Sequence, residues 1–230
     1  MTDLRGWTDQ VGSGLAADGG WAPVGLNREH AVLVNSREGL VDQWTRDGRV
    51  FISSNPTIGT PVTMSAAGTA FTLTAPSLRY TVPSGSIVVP IHVAVSNLRV
   101  ITKDDLFGVV VTGSDSFTSG GIASMAARNA VVQPASASMR TSAVTNLLNA
   151  DTTLVEAALV NPRLLKRIKH EGVAGEVDAP WEPEYNILKG DPMVYLVGPA
   201  SFLVFVIQET TAAEAEWSMS WAELDASVVP

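Results

Sequence analysis

From residue 50 onward, apolar and polar side chains alternate with a period of two in a series of short runs. SIVVPIHVAVS (86–96) is the clearest: Ile87, Val89, Ile91, Val93 and Val95 share one face, and Val88, Pro90, His92 and Ala94 the other. That period is the mark of a strand with one buried side. AEWSMSWAEL (215–224) alternates in the same way, with Trp217, Met219 and Trp221 on one face and Glu216, Ser218 and Ser220 on the other. VFISS (50–54), PVTMS (61–65), TAFTLTA (69–75), LRYTV (78–82), LFGVVVTG (106–113), MVYLVG (193–198) and FLVFVIQET (202–210) supply further strands. Turn residues separate them, among them Asp47-Gly48, Asn55-Pro56, Pro83-Ser84-Gly85 and Gly198-Pro199. Pro90 lacks the amide hydrogen a sheet ladder uses, so it predicts an edge strand or a bulge. Many short strands with turn signals between them predict a mainly β fold, a sandwich or barrel.

Two stretches depart from this pattern. Residues 1–48 carry Gly12, Gly14, Gly19, Gly20, Pro23 and Gly25 and show no sustained period, except for a short helix near Arg37–Trp44. They read as an extended N-terminal arm. Trp7, Trp21 and Trp44 lie in it, and aromatic residues are scarce in solvated tails. These three are the candidate arm anchors. The second departure is the middle, 119–172. NPRLLKRIKHEG (161–172) predicts a helix, with Asn161 as cap, Pro162 as first helical residue, Gly172 as stop and Leu164, Leu165 and Ile168 as its apolar face. The expected organisation is an arm over 1–48 and a β domain over 49–230, with a helical insert of one or two short helices at about 140–172.

Composition sharpens this picture. Hydrophobic residues make up 46% of the 230 and charged residues 17%, against about 25% charged in a typical soluble domain. Contact with other subunits is one way to cover such a surface; Ser- and Thr-rich neutrality is the other. The net charge of −8 argues against a nucleic-acid or anionic-membrane partner for the molecule as a whole. No apolar run approaches a membrane span, and the start lacks a signal-peptide pattern, so synthesis in a cytoplasm is expected. With no cysteine there is neither a disulfide framework nor a thiolate centre.

Catalytic patterns are sparse. His30, His92 and His170 are isolated, with no metal-ligand spacing. Gly12-x-Gly14 has no strand before it, and no nucleophile elbow or phosphate loop occurs. The expectation is a non-enzyme without metal or cofactor. Two clusters remain as candidate contact sites. Trp181, Glu182, Glu184 and Tyr185 form an acidic, aromatic, proline-flanked loop, and Arg163, Lys166, Arg167 and Lys169 form a basic patch within seven residues. The patch suits an acidic neighbouring subunit or, less well with this net charge, nucleic acid; a merely solvated face is the plain alternative.

DGRVFISSNPTIGTPVT (47–63), the alternating strands after it and the closing WSMSWAEL (217–224) together resemble virion structural proteins of tailed bacteriophages. The motifs are loose and cover the β portion alone. The resemblance implies a jelly roll of the capsid decoration (cement) or minor capsid type. It also implies a homotrimer, with the major capsid or other virion proteins as partners and the virion as location. A carbohydrate- or receptor-binding sandwich of a phage tail or spike, carried by Trp181 and Tyr185, is the second reading. A cupin-type enzyme is the third, and it needs a histidine set that three scattered histidines do not supply.

Overall fold

The computed structural model describes residues 37–55, 57, 59–65, 68–72, 75–96, 104–113, 117–119, 122–124, 126–131, 140–149, 155–156, 159–171, 181–209 and 212–224. The chain divides into two compact units, Met1–Leu40 and Val41–Pro230. The first is described only from Arg37, where helix α1 (Arg37–Arg46) begins. Trp7 and Trp21 lie outside the described residues. Trp44, near the end of α1, is buried. Helix α1 carries an Asp42–Arg46 ion pair one turn apart (2.8 Å).

The second unit is mainly β. Its strands begin with β1 (Val50–Ser54), β2 (Val62–Ser65), β3 (Leu78–Val82), β4 (Ile87–Ser96) and β5 (Asp105–Thr112). Short strands follow: β6 (Phe117–Ser119), β7 (Ile122–Ser124), β8 (Arg128–Asn129), β9 (Thr145–Asn149) and β10 (Val155–Glu156). The remainder are β11 (Arg163–His170), β12 (Glu184–Asn186), β13 (Leu196–Val197), β14 (Ala200–Gln208) and β15 (Ala213–Leu224). They build two antiparallel sheets. Sheet one runs β12-β4-β15-β1-β8, with β13 also on β4 and β2 also on β15. Sheet two runs β11-β5-β14-β3-β9-β7, and β10 pairs with β6 apart from both.

The inner faces meet in an aromatic core. Tyr80 of β3 stacks on Phe202 of β14 (5.0 Å) and reaches across to Trp221 of β15 (5.3 Å). Trp221 lies over Phe51 of β1, and Tyr185 of β12 meets Phe202. All five rings are at most 1% exposed. Burying a large apolar side chain contributes about 1.5–3 kcal/mol, so this cluster is a principal source of stability. Glu223, on the Trp221 face, is buried too. Its carboxylate accepts from Trp221 Nε1 (3.1 Å), Ser142 Oγ (2.5 Å) and the Ala143 amide (2.9 Å), which ties the 140–144 segment to β15.

Tyr80 has a consequence for pH. Its hydroxyl is buried and has no hydrogen-bond partner among the described residues. Burial first, and then Tyr185 and Glu223, hold its phenol well above the ordinary value near 10. Above about pH 10 the unfolded chain therefore releases this proton and the folded chain keeps it, so stability falls as pH rises. Tyr80→Phe is expected to remove that alkaline loss and to leave neutral-pH stability unchanged or up to about 1 kcal/mol higher. Thermal unfolding of both proteins at neutral pH and above pH 10 checks this; a variant clearly less stable at neutral pH contradicts it.

Several sequence expectations are corrected here. Residues 163–170 form a strand, and among the described residues of 140–172 no helix occurs. The apolar β5 presents an edge that β11 completes, and its ladder runs from Arg163↔Val111 to His170↔Asp105 with a bulge at Leu165. Tertiary pairing thus overrides a local spacing that suits a helix. Asn161 has φ +48° and begins no helix. Pro90 sits at a bulge in an interior strand, because His92 faces Ser220 while Pro90 faces Trp221. The bulge exchanges the faces of β4: Val93 and Val95 face the core on one side of it, and Val88 and Pro90 align with Glu223 and Trp221 on the other. Residues 69–72 form no strand. Phe71 lies instead on the outer face of sheet two, against Phe205 (5.4 Å) and directly over Gly108, where any β-carbon would collide with its ring.

Candidate functional site: a basic sheet edge beside an apolar cleft

Sheet two ends at β11. Exposed edge strands invite pairing with other chains, and natural sheets blunt them with lysines, arginines and bulges. β11 has both. Lys166, on the inner side, pairs with Asp191 (2.5 Å), whose other oxygen accepts from the Asn186 amide (2.8 Å). That contact bridges β11 to the segment after β12. Lys169 pairs with Asp104 (2.7 Å) and Glu171 (3.0 Å), which hold its ammonium above the usual range. Arg163 and Arg167 are exposed, and among the described residues neither has an ion-pair partner. The basic patch therefore divides into two compensated lysines and two arginines without an ion-pair partner among the described residues.

An open cleft of about 280 Å³ lies beside it, lined by Thr112, Asn161, Arg163, Tyr195, Leu196 and Val197 among others. The turn leading into β11 is fixed by the Val160 carbonyl, which accepts from the Gly113 amide (3.0 Å) and Thr112 Oγ1 (2.7 Å). Asn161 tolerates the left-handed backbone that follows better than most residues do. This turn leaves Val160 50% and Leu164 57% exposed, while Tyr195 and Val197, in the cleft wall, are 46% and 54% exposed. Tyr195 and Val197 thus line the cleft and Val160 sits at the turn that borders it, whereas Leu164 pairs with Val110 on the outer face of the sheet.

The acidic aromatic cluster is taken apart by the fold. Trp181 lies against the His170 ring (5.9 Å), and Glu182 accepts from Ser96 Oγ (3.3 Å). Glu184 belongs to β12, between Lys189 and His92 Nε2 (3.4 Å). Lys189, with help from Asn186 and His92, holds the Glu184 carboxyl below its usual range. Tyr185 is core, its hydroxyl donating to the Pro192 carbonyl (2.6 Å), so it cannot serve as a contact residue. Trp44 is buried as well, 8% exposed.

The outer face of sheet one is small and polar, with Ser54, Ala94, Ser96 and Ser218 around a groove of about 330 Å³. Trp217, which also borders this groove, is an inward residue only 3% exposed and offers no stacking platform. Among the described residues no group of three or more His, Cys, Asp or Glu could hold a metal ion, and no helix is long and apolar enough to cross a membrane. Sequence reasoning missed Tyr195, Val197 and Glu223. Glu223 had a signal, since it continues the inward parity of Trp217, Met219 and Trp221. Tyr195 and Val197 had none, because an exposed apolar strand reads like a buried one. No protein-family model, curated protein or solved structure matches this chain.

Proposed function

We propose that the chain is a non-enzymatic structural subunit that assembles with copies of itself and with neighbouring subunits. The observation that carries this reading is the cleft just described, where exposed Tyr195 and Val197, with Val160 at its border, lie beside Arg163 at the end of a sheet. Isolated exposed hydrophobics are ordinary, whereas a clustered set beside a polar rim suits a protein contact. The low charged fraction supports the same reading.

The sandwich is, in this proposal, a jelly roll. Its support is strand order. Taken in sequence, β1, β3, β4, β5, β11, β12, β14 and β15 place β12-β4-β15-β1 in one sheet and β11-β5-β14-β3 in the other. Each successive strand changes sheet except from β5 to β11, which is two interlocked Greek keys. A tailed-phage virion, as a capsid decoration or minor capsid protein, is the proposed setting. It rests on the resemblance of residues 47–63 and 217–224, with the homotrimer and the major-capsid partner part of the same proposal. The sugar-binding reading is less favoured, since Tyr185 is buried and Trp181 packs on His170.

Leu164→Asp combined with Val197→Asp tests the reading. Both side chains are exposed, so folding is expected to survive. Each lost apolar contact is worth about 1 kcal/mol or more, so association is expected to weaken by at least about tenfold. Light scattering of both proteins decides it: a wild-type chain that stays monomeric at every concentration refutes the proposal.

A further inference from the structure

We infer that the β11 corner seats an acidic surface of a second copy of this chain, in a head-to-tail contact rather than a twofold one. The inference rests on the self-assembly reading and specifies its partner and symmetry. Charge distribution is the first ground. β11 gathers four of the chain's 15 Lys and Arg into eight residues, while the whole chain carries 23 Asp and Glu. Outside β11 the sequence carries all 23 Asp and Glu against the remaining 11 Lys and Arg, and Arg163 and Arg167 have no ion-pair partner among the described residues of their own. A second copy supplies the opposite charge, and such complementarity selects partner and register.

Like-charge repulsion at the edge itself is the second ground. A twofold antiparallel pairing of β11 with its own mate sets Arg167 opposite Arg167 when centred on that residue, and opposite Lys169 in both directions when centred on Ile168. Cations facing across a ladder are destabilising. Those registers of the strand that ends sheet two are thereby disfavoured with its own copy, and an acidic partner meets no such repulsion. A contact between two different surfaces closes into a ring or runs on as a filament, and does not stop at a twofold dimer. A trimer is one such ring.

The exposed apolar residues are the third ground. Tyr195 and Val197 in the cleft wall, with Val160 at its border, suit protein side chains and offer nothing to a phosphodiester backbone. Together with the net charge of −8, this favours a protein over nucleic acid as the occupant.

Two variants of the full chain test the inference. Arg163→Glu with Arg167→Glu reverses these two charges on an exposed strand. Sedimentation velocity is expected to show association weakened at least about tenfold, with wild-type association falling as salt is raised. The chain has no cysteine, so Arg167→Cys installs a single thiol as a reporter. Under oxidation it is expected to give no disulfide-linked dimer, because two β11 strands do not meet. Wild-type assembly with unchanged strength in the charge-reversed variant overturns the inference and leaves self-assembly standing. So does rapid disulfide crosslinking between two copies of the single-thiol variant. A wild-type chain that never associates overturns both. Binding of a fluorescent single-stranded oligonucleotide that is lost on charge reversal overturns the inference in favour of nucleic acid.

Discussion

Replacing Trp221 by alanine is expected to cost about 3–5 kcal/mol, as for other large-to-small changes at fully buried aromatics. Trp221 is 0% exposed and lies between Phe51 of its own sheet and Tyr80 of the other, so its loss leaves a hole where the sheets meet. It also withdraws a donor from Glu223, a buried carboxylate that holds Ser142 and Ala143. A whole domain is commonly stable by only about 5–15 kcal/mol, so the variant should unfold at much lower denaturant or be recovered misfolded. Trp221→Phe keeps most of the ring packing and gives up the N–H, so a smaller loss of about 1–2 kcal/mol is expected. Denaturation midpoints of the three proteins order them; alanine and phenylalanine variants of equal stability would show that ring packing is not what joins the sheets.

Gly198→Ala is expected to be the most damaging single-methyl addition at a described glycine. A β-carbon there would overlap the Pro83 carbonyl and lie 2.7 Å from the Val82 carbonyl oxygen. These are backbone atoms, so no side-chain rotation relieves the collision. The Gly198 amide also donates to the Ser86 carbonyl (3.0 Å), so moving the chain away sacrifices a hydrogen bond. A cost of about 3 kcal/mol or more is expected, the upper end for overpacking. Gly190→Ala is the informative contrast. Gly190 has φ +102° with nothing within 4 Å of the added carbon, so it should suffer only conformational strain, on the order of 1–2 kcal/mol. Equal midpoints for the two variants would contradict the steric account.

Both cases show where the sequence was informative. The inward parity of Trp217, Met219 and Trp221 is legible because a period of two admits no other arrangement once one face is buried. The strand runs at 50–54, 78–82 and 87–96 are legible for the same reason. β11 is not. Leu164, Leu165 and Ile168 after Asn161-Pro162 satisfy helical spacing, and what makes them a strand is the unpaired edge of β5, far away in sequence. The bulge at Pro90 changes which residues face inward, and a proline alone does not say which of two devices it signals. Phe71 alternates like a strand residue, yet serves as a lid over Gly108, whose missing side chain makes the room. The basic sheet edge was half legible. The four cations announce themselves, but the pairing of Lys166 and Lys169 with acidic partners, which Arg163 and Arg167 lack among the described residues, depends on Asp191 and Asp104 arriving from other loops.

In the proposed assembly, the β11 corner of the two-sheet sandwich is covered when copies of the chain meet. Amide hydrogen exchange of the full chain, measured in dilute and in concentrated solution, reads that property directly. Slower exchange on concentration, confined to residues 160–168 and 194–197, is the expected result. Exchange at those amides that does not change with concentration, in a chain that remains a lone molecule, contradicts it.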